Sequence, residues 1–500
     1  MFHKIQYNNK KTNIVTFCLF LKNLWFVFNF HFRHHRSTIQ IFMSSEPQQK
    51  KLKTMTSVTS SETKSNSWVE YDAATCDFPI QNLPYGIFKP SPDAPARCGT
   101  AIGKYVLDLS VLHETGMFQQ LGTWTSVFCE PTLNSFMGLG SAKWAAARAA
   151  ITRLLDPEEG ALRDNEAVKG QALIEMSAVI MCLPCRIGDY TDFYASREHA
   201  TNVGTMFRGA DNALQPNWLT LPVGYHGRAS SVVVTGTPIR RPRGQLQKDR
   251  ADPKQGSTHG PCKLLDFELE MGCFVGPGNK LGDPIDMNKV EDHIFGFVIL
   301  NDWSARDIQK WEYIPLGPFT AKNVMSTISP WIVTPAALNA FACPTSAGTQ
   351  TDPVPHKYLQ DPNYGSYDLN LSVAIKPVEK PDAAPSVITN SNFKYMYWNH
   401  RQQLVHHTVT GCNMQPGDLL GSGTISGPTA DPPTYGSMLE LAWAGPGHGP
   451  GSKAIDLGNG VERKFLKDGD EVFMTGFCQG NGYRVGFGEC RGVVLPAHTN

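Results

Sequence analysis

Short runs of strand length, separated by turn residues, constrain the fold of this sequence more than any other feature. The run at 294–300 is apolar throughout, as expected for a strand that is buried on both faces. The 45 glycines and 35 prolines among 500 residues supply turns between such runs. One stretch, 141–155, is a clear helix because it is rich in alanine, and Ser141 is available as its N-cap. The sequence therefore predicts a mainly β protein.

Further strands are predicted where apolar and polar residues alternate or where β-branched residues cluster. These segments are 105–110, 231–238, 264–275, 369–375, 437–443 and 471–476.

The length of 500 residues predicts more than one domain. Residues 1–66 differ from the rest: the first acidic residue is Glu46, and 44–67 is rich in Ser, Thr, Lys and Gln. This composition predicts a disordered extension. Its apolar part is too short and too interrupted for a transmembrane helix. Folded sequence is expected from near Asp77, in a small β domain within 67–184 and a larger domain over 185–500.

Charge and cysteine content exclude several classes of protein. Lys plus Arg and Asp plus Glu both number 45, so the chain has no overall bias toward nucleic acid or anionic membranes. Of the 12 cysteines, only Cys182 and Cys185 form a C-x-x-C pair, and a four-cysteine zinc site needs a second pair. Scattered thiols suit a reducing compartment. We therefore expect a cytosolic protein without nucleic-acid or membrane partners.

Paired acidic residues indicate either a metal site or a solvated sheet face. On a strand, Glu268 and Glu270 would point to the same face, roughly 7 Å apart. Taken alone, this pattern favours the wet outer face of an antiparallel sheet. Asp302 at the end of the apolar run and Asp192 in an aromatic, turn-prone stretch favour the metal site. Four carboxylates would suit a hard cation such as Ca²⁺ or Mg²⁺ rather than zinc.

A short helix is predicted over 302–313, with Ser304 near its cap. Arg306, Gln309 and Tyr313 are spaced three and four apart, so they share one face of that helix and could grip an anion or a carbonyl group. His199 follows Asp192 by seven residues; a lone histidine is more often structural than catalytic. The glycine-rich segment 421–427 suits either a ligand approach or a tight β connection.

Six segments of the chain resemble the fumarylacetoacetase family. They are Gly188-Asp-Tyr-Thr-Asp-Phe-Tyr, Leu221-Pro-Val-Gly-Tyr-His-Gly-Arg-Ala-Ser-Ser, Glu268-Leu-Glu270, Asn301-Asp-Trp-Ser-Ala-Arg-Asp-Ile-Gln, Gly423-Thr-Ile-Ser-Gly and Gly436-Ser-Met-Leu-Glu-Leu. The resemblance extends from about Asp77 to Pro496. It implies an SH3-like N-terminal barrel, a larger C-terminal β-sandwich roll of the fumarylacetoacetase type, and a homodimer.

The resemblance also implies a set of site residues. The implied Ca²⁺ ligands are Asp192, Glu268, Glu270 and Asp302. A second ion, Mg²⁺, is implied near Asp302, Lys322 and Ser326. His199 is implied as the general base, with Glu440 as its orienting carboxylate. Substrate contacts are implied for Tyr194, Arg208, Gln309, Tyr313 and Thr424. Stabilisation of the leaving carbanion is implied for Arg306, Gln309 and Lys322.

The implied substrate is a small diketo acid. The implied reaction is hydrolysis of the carbon–carbon bond of 4-fumarylacetoacetate to fumarate and acetoacetate, the last step of tyrosine and phenylalanine breakdown. The chain departs from the family at Met325-Ser326-Thr327, where Gly-Thr-Thr is typical, and this departure concerns the second metal site. Two alternatives are a hydrolase of shorter acylpyruvates or a decarboxylase on the same scaffold, and a catalytically silent homologue. The N-terminal domain argues against the first alternative, and the pair His199 and Glu440 argues against the second.

Overall fold

Antiparallel strands dominate the protein from residue 85 onward. The computed structural model describes residues 67–249, 251–428, 433–458 and 460–499, so the predicted extension at 1–66 lies outside the described residues. The first strands and helices are β1 (Tyr85–Lys89), β2 (Arg97–Ile102), β3 (Tyr105–Asp108), α1 (Leu109–Glu114), α2 (Asn134–Met137), α3 (Ser141–Leu154), α4 (Gly160–Arg163), α5 (Glu166–Ala172), β4 (Leu173–Glu175) and β5 (Ile180–Cys182). The five strands form one antiparallel sheet in the order β4-β3-β2-β1-β5.

The remaining elements build a larger β structure. They are β6 (Tyr190–Phe193), α6 (Arg197–Arg208), β7 (Gly224–His226), β8 (Val232–Val234), β9 (Ile239–Arg240), β10 (Arg243–Gln247), β11 (Ser257–Pro261), β12 (Leu265–Asp266), β13 (Leu269–Val275), β14 (Ile294–Asp302), β15 (Ser304–Ala305), α7 (Arg306–Glu312), β16 (Ser326–Ile328), α8 (Pro335–Leu338), β17 (Ala342–Cys343), β18 (Ser366–Tyr367), β19 (Asn370–Lys376), β20 (Ser386–Asn392), α9 (His400–Thr408), β21 (Leu419–Gly421), α10 (Met438–Leu441), β22 (Ile455–Asp456), β23 (Glu462–Arg463), β24 (Glu471–Gln479) and β25 (Arg484–Leu495). A seven-stranded sheet has the order β7-β6-β21-β13-β14-β16-β8, and a five-stranded sheet has the order β20-β19-β24-β25-β9. The prediction of a mainly β protein is confirmed.

Strand β14 lies between two hydrophobic cores, which explains its uninterrupted apolar sequence. Phe297 and Ile299 belong to the core shared with the five-stranded C-terminal sheet. Val298 and Leu300 belong to the core shared with the N-terminal sheet. Because successive side chains of a strand point to opposite faces, both faces of β14 are covered by apolar groups. The predicted buried strand is confirmed, and it extends two residues further, through Asp302.

One face of the seven-stranded sheet carries both the N-terminal core and a row of acidic side chains. On β13, Phe274 belongs to the N-terminal core, and Glu270 lies four residues earlier on the same face. On β14, Leu300 belongs to that core, and Asp302 follows two residues later. The N-terminal part therefore covers one end of this face, and the acidic residues occupy the other end.

Residues 437–443 do not form the predicted strand. The segment forms the short helix α10 instead. The carboxylate of Asp266 accepts hydrogen bonds from the backbone amides of Met438, at 2.8 Å, and Leu439, at 3.0 Å. The hydroxyl of Ser437 caps the same turn. Side-chain acceptors thus satisfy the first amides of the helix, and a pattern of alternating apolar residues does not reveal them.

Two element ends also differ from the predictions. Helix α3 begins at Ser141, and its N-cap is Gly140, so the serine does not cap the helix. The run at 105–110 is a strand only as far as Asp108. The Asp108 carboxylate accepts from the next amides and so starts helix α1.

The packed chain also begins earlier than Asp77, because Val69 is already buried. Ser304 pairs in β15 and does not cap α7. Cys182 and Cys185 are free thiols, and only Cys185 is fully buried. Within the described ranges, no helix is both long and apolar enough to cross a membrane.

Candidate active site

Four carboxylates converge at the acidic end of the seven-stranded sheet. Asp192 lies on β6, Glu268 directly precedes β13, Glu270 lies on β13, and Asp302 ends β14. All four side chains are buried. One oxygen atom from each carboxylate lies within 4.8 Å of the others. The alternative of a wet outer sheet face is therefore wrong for Glu268 and Glu270.

Two cationic side chains offset part of this negative charge. Lys322 Nζ lies 2.6 Å from Asp302 Oδ2 and also contacts Glu268 Oε2. Arg306 Nη1 lies 2.8 Å from Glu268 Oε1. Burial alone would raise the pKa of Glu268, but Lys322 and Arg306 outweigh burial and hold that pKa below its usual value. Glu268 is therefore ionised and paired.

Asp192 and Glu270 are not neutralised in this way. Burial raises the pKa of both carboxyl groups well above its usual range, and the neighbouring carboxylates raise it further. Asp192 Oδ1 and Glu270 Oε1 are buried without a hydrogen-bond partner among the described residues. Ionised oxygens in such positions are costly unless a cation shares them. The donor set therefore fits a hard divalent cation, which prefers carboxylate oxygens.

Gly421 permits the close approach of these carboxylates. A Cβ atom at this position would lie 3.0 Å from Glu270 Oε2 and 3.2 Å from Asp192 Oδ1. It would also lie 3.2 Å from the hydroxyl oxygen of Tyr190. The absence of a side chain at Gly421 therefore leaves room for the acidic cluster.

His199 and Glu440 form a buried pair beside the acidic cluster. His199 lies in the first turn of α6, and its Nδ1 is 2.6 Å from Glu440 Oε2. Burial alone would raise the pKa of Glu440, but His199 and its hydrogen bond lower it below its usual value. Because the ionised Glu440 accepts, we assign the proton to Nδ1, which leaves Nε2 free. That nitrogen lies 4.0 Å from Glu268 Oε1.

Three further side chains hold Glu440 in place. The hydroxyls of Ser426 and Ser437 each donate to Glu440 Oε2 at 2.9 Å. Asn202, one turn after His199 on α6, donates to Glu440 Oε1 at 2.8 Å. Both carboxylate oxygens are thus occupied, which fixes the orientation of the histidine ring.

One cavity of about 370 Å³ joins the acidic cluster to the histidine. Arg306 and Gln309 line it from α7, and Tyr313 lines it from the C-cap of that helix, as their spacing predicts. Tyr194, Arg208 and Thr424 line it from other elements. All the residues for which the resemblance implies a substrate contact therefore meet in this cavity.

Ser326 and Met325 belong to the segment that departs from the family pattern, and they lie in different surroundings. Ser326 donates its hydroxyl to Asp302 Oδ1 at 2.8 Å. Met325 is buried in the C-terminal core. The hydroxyl at position 326 therefore remains beside the acidic cluster.

Asp266, Tyr225 and Lys310 also lie at the site, and the sequence did not predict them. Asp266 accepts from Arg306 Nε at 2.8 Å, and it precedes Glu268 by two residues, so the same alternation points to it. Tyr225 lies beside Asp192 in the sheet register, and its hydroxyl is 3.4 Å from Asp302 Oδ2; only strand pairing reveals that contact. Lys310 lines the cavity, and the helical spacing from Arg306 would have included it.

Two family models match the chain. The model described as Fumarylacetoacetate (FAA) hydrolase C-terminal matches residues 189–495. The model described as Fumarylacetoacetase N-terminal matches residues 81–184. Both parts of the chain are thus matched by models of one family.

Full-length relatives agree with these matches. The fumarylacetoacetase of Bos taurus is 57% identical over 85% of this chain and 98% of its own length. The fumarylacetoacetase of Dictyostelium discoideum is 57% identical over 84% of this chain and 96% of its own length. The fumarylacetoacetase of Homo sapiens is 56% identical over 85% of this chain and 98% of its own length. The chain therefore belongs to the fumarylacetoacetase family.

Proposed function

We propose that this enzyme hydrolyses the carbon–carbon bond of 4-fumarylacetoacetate to fumarate and acetoacetate, the last step of tyrosine and phenylalanine breakdown. The observation that carries the proposal is the His199–Glu440 pair. His199, with a free Nε2, lines the same cavity as Asp192, Glu268 and Glu270 of the four-carboxylate cluster. A base and a cation-binding cluster that face one cavity are what metal-assisted hydrolysis requires.

Asp192, Glu268, Glu270 and Asp302 are the proposed Ca²⁺ ligands. The bound ion would polarise the diketone oxygens of the substrate and orient them. A second ion, Mg²⁺, is proposed near Asp302 and Ser326. A protonated lysine has no lone pair for a metal, so Lys322 is not proposed as a ligand of this ion; it forms ion pairs with Glu268 and Asp302.

His199 takes the first proton in the proposed reaction. Because fumarate is a product, the attacked ketone is the one next to the alkene. The oxygen of a water molecule bonds to that ketone carbon, and Nε2 of His199 accepts the proton of the water. Glu440 accepts from Nδ1 throughout, so it keeps the ring in the correct tautomer and stabilises the imidazolium that forms.

The carbon–carbon bond then breaks, and its electron pair passes to the acetoacetate carbon. Arg306, Gln309 and Lys322 line the cavity beside the reacting groups and are proposed to stabilise this negative charge as it develops. Arg306 and Lys322 are already held by buried carboxylates, so they need little reorganisation during the reaction. The proton held by His199 returns to the carbanion, which completes acetoacetate.

Purified protein tests this function directly. With calcium present, the absorbance of the diketo acid should fall, and fumarate and acetoacetate should appear in equal amounts by NMR. Exposed His259 offers a matched control: His259→Ala should retain turnover, whereas His199→Ala should lose most of it. No loss of absorbance for the wild type, or turnover of acylpyruvates alone, would contradict the proposal.

Further features of the chain are proposed on the family likeness. The N-terminal sheet, formed by β1 to β5, would be an SH3-like barrel within residues 67–184. Residues 185–500 would form the catalytic β-sandwich roll. The enzyme would be a cytosolic homodimer without nucleic-acid or membrane partners. Sedimentation of the purified protein tests the dimer, and fractionation of cells tests the compartment.

A further inference from the structure

Four cationic side chains line the active-site cavity, and they fall into two pairs. They are Arg208, Arg306, Lys310 and Lys322. Arg306 and Lys322 are buried and form ion pairs with the acidic cluster and Asp266. Arg208 and Lys310 form no ion pair with any described residue. Two cations of the cavity are therefore available to a ligand.

Lys310 continues the polar stripe of α7 toward solvent. Arg306, Gln309, Lys310 and Tyr313 follow the spacing i, i+3, i+4 and i+7, so they share one helix face. Arg306 is 6% exposed, whereas Lys310 is exposed. The stripe thus runs from the reacting groups to the cavity mouth, and Lys310 carries the charge at its outer end.

Among the described residues that line the cavity, no exposed carboxylate competes for this lysine. The acidic residues that line the cavity are Asp192, Glu268 and Glu270, all of which are buried in its floor. Two exposed apolar side chains, Phe207 and Leu316, also line the cavity. An ammonium group in this position attracts an anionic group of the ligand.

The proposed substrate brings two terminal carboxylates, one on each side of the diketone. Arg208 is fixed by hydrogen bonds to the backbone carbonyls of Asn212, at 3.0 Å, and Ala213, at 2.6 Å. It is already among the residues for which the family likeness implies a substrate contact, and it accounts for one carboxylate. We infer that Lys310 binds the other terminal carboxylate and makes the site selective for diketo acids with two carboxylates. This inference rests on the proposed function.

Three substrates and three variants test the inference. The substrates are fumarylacetoacetate, an analogue that keeps the fumaryl carboxylate but ends in a methyl ketone, and an analogue that keeps the acetoacetyl carboxylate but has an acetyl group in place of the fumaryl group. Lys310→Met removes the charge, and Lys310→Arg keeps it. Lys280→Met is the matched control, because Lys280 is also exposed and lies outside the cavity lining.

For fumarylacetoacetate, Lys310→Met should raise KM about threefold to tenfold, as expected for a partly exposed charged contact, with little change in kcat. Lys310→Arg and Lys280→Met should keep the wild-type KM. The analogue that lacks the carboxylate bound by Lys310 should have the same KM with Lys310→Met as with the wild type. Equal losses for both analogues, or no change for fumarylacetoacetate, would overturn the inference.

Failure of the proposed function would look different. In that case the wild type itself would turn over none of the three compounds. Calorimetric binding of the same compounds to the wild type and to Lys310→Met would then test the lysine alone. A carboxylate-dependent difference in affinity would support its role, and identical affinities would refute it.

Discussion

The proposed proton transfer depends on two side chains: His199 accepts the proton, and Glu440 orients the ring of His199. If they act as one unit, His199→Ala should lower turnover about 10²- to 10⁴-fold, the usual contribution of a general base. Glu440→Gln should also slow turnover, because it removes the negative charge that stabilises the imidazolium and leaves one acceptor oxygen where Glu440 uses two. The double variant should be little worse than His199→Ala. Turnover of the four proteins at matched calcium saturation measures this coupling.

Measuring calcium affinity distinguishes the role of His199 as a base from a role as a metal ligand. His199→Ala should keep the calcium affinity of the wild type in calorimetry. Fully multiplicative losses in the double variant would mean that Glu440 acts independently of the histidine.

The acidic cluster also requires a glycine at position 421, because it leaves no room for a larger side chain. In Gly421→Ala the new Cβ would lie 3.0–3.2 Å from Glu270, Asp192 and Tyr190, so the acidic cluster must shift. Calcium affinity should fall at least tenfold in calorimetry, while the circular dichroism spectrum stays native. Gly170→Ala is the control, because nothing lies within 4 Å of its Cβ and alanine favours the interior of helix α5. Unchanged calcium affinity in Gly421→Ala would contradict the steric explanation.

At the scale of elements, Asp266 connects helices α7 and α10, which are far apart in the sequence. Its carboxylate accepts from the first amides of α10 and from Arg306 on α7, and it is fully buried. Asp266→Ala leaves Arg306 with one buried partner fewer and uncaps α10, so the free energy of unfolding should fall by about 3–5 kcal/mol. Urea denaturation measures the loss. Asp266→Asn, which keeps one acceptor oxygen, should lose less, and equal losses for the two variants would mean that the acceptor role is unimportant.

A strand with both faces buried could be predicted from its own sequence. Elements whose ends depend on residues far away in the sequence could not. The run at 294–300 is apolar because both its faces are buried, so its own composition identifies it as a strand. The segment at 437–443 looks like a strand, yet Asp266 lies far away in sequence and supplies the acceptor that turns it into a helix. Ser141 has the right residue type for a cap, but the preceding glycine takes that position.

At the scale of the whole molecule, the acidic cluster depends on the order of strands in the sheet. Asp192 lies on β6, and β21 separates this strand from β13, which carries Glu270. Such pairing between non-consecutive strands cannot be derived from local alternation. The residue types and the pair Glu268 and Glu270 were visible in the sequence, whereas the convergence of all four carboxylates came only from the family resemblance until the structure brought them together.

The same cluster makes the stability of the whole fold depend on pH and metal together. In the metal-free protein, burial raises the pKa of Asp192, Glu270 and Asp302. Above about pH 4, the usual value for these groups in an unfolded chain, the folded protein therefore holds more protons than the unfolded one. By linkage, this part of the stability is present below that pH and is lost as pH rises through the raised values. Glu268 and Glu440 have lowered pKa values, so they are ionised in both states above about pH 5 and do not alter the trend.

Calcium should reverse this trend, because it binds the ionised carboxylates and must displace their protons at low pH. We therefore expect calcium to raise the melting temperature more at pH 8 than at pH 5.5, with a stabilisation of about 2.7 kcal/mol when its concentration is a hundred times Kd. Differential scanning calorimetry with and without calcium at the two pH values measures the effect. Glu270→Gln, which removes one buried charge and one ligand, should stabilise the metal-free protein at pH 8 and weaken its response to calcium. An equal calcium effect at both pH values would mean that the cluster is already ionised without metal, and the link between burial, protonation and ion binding would then be wrong.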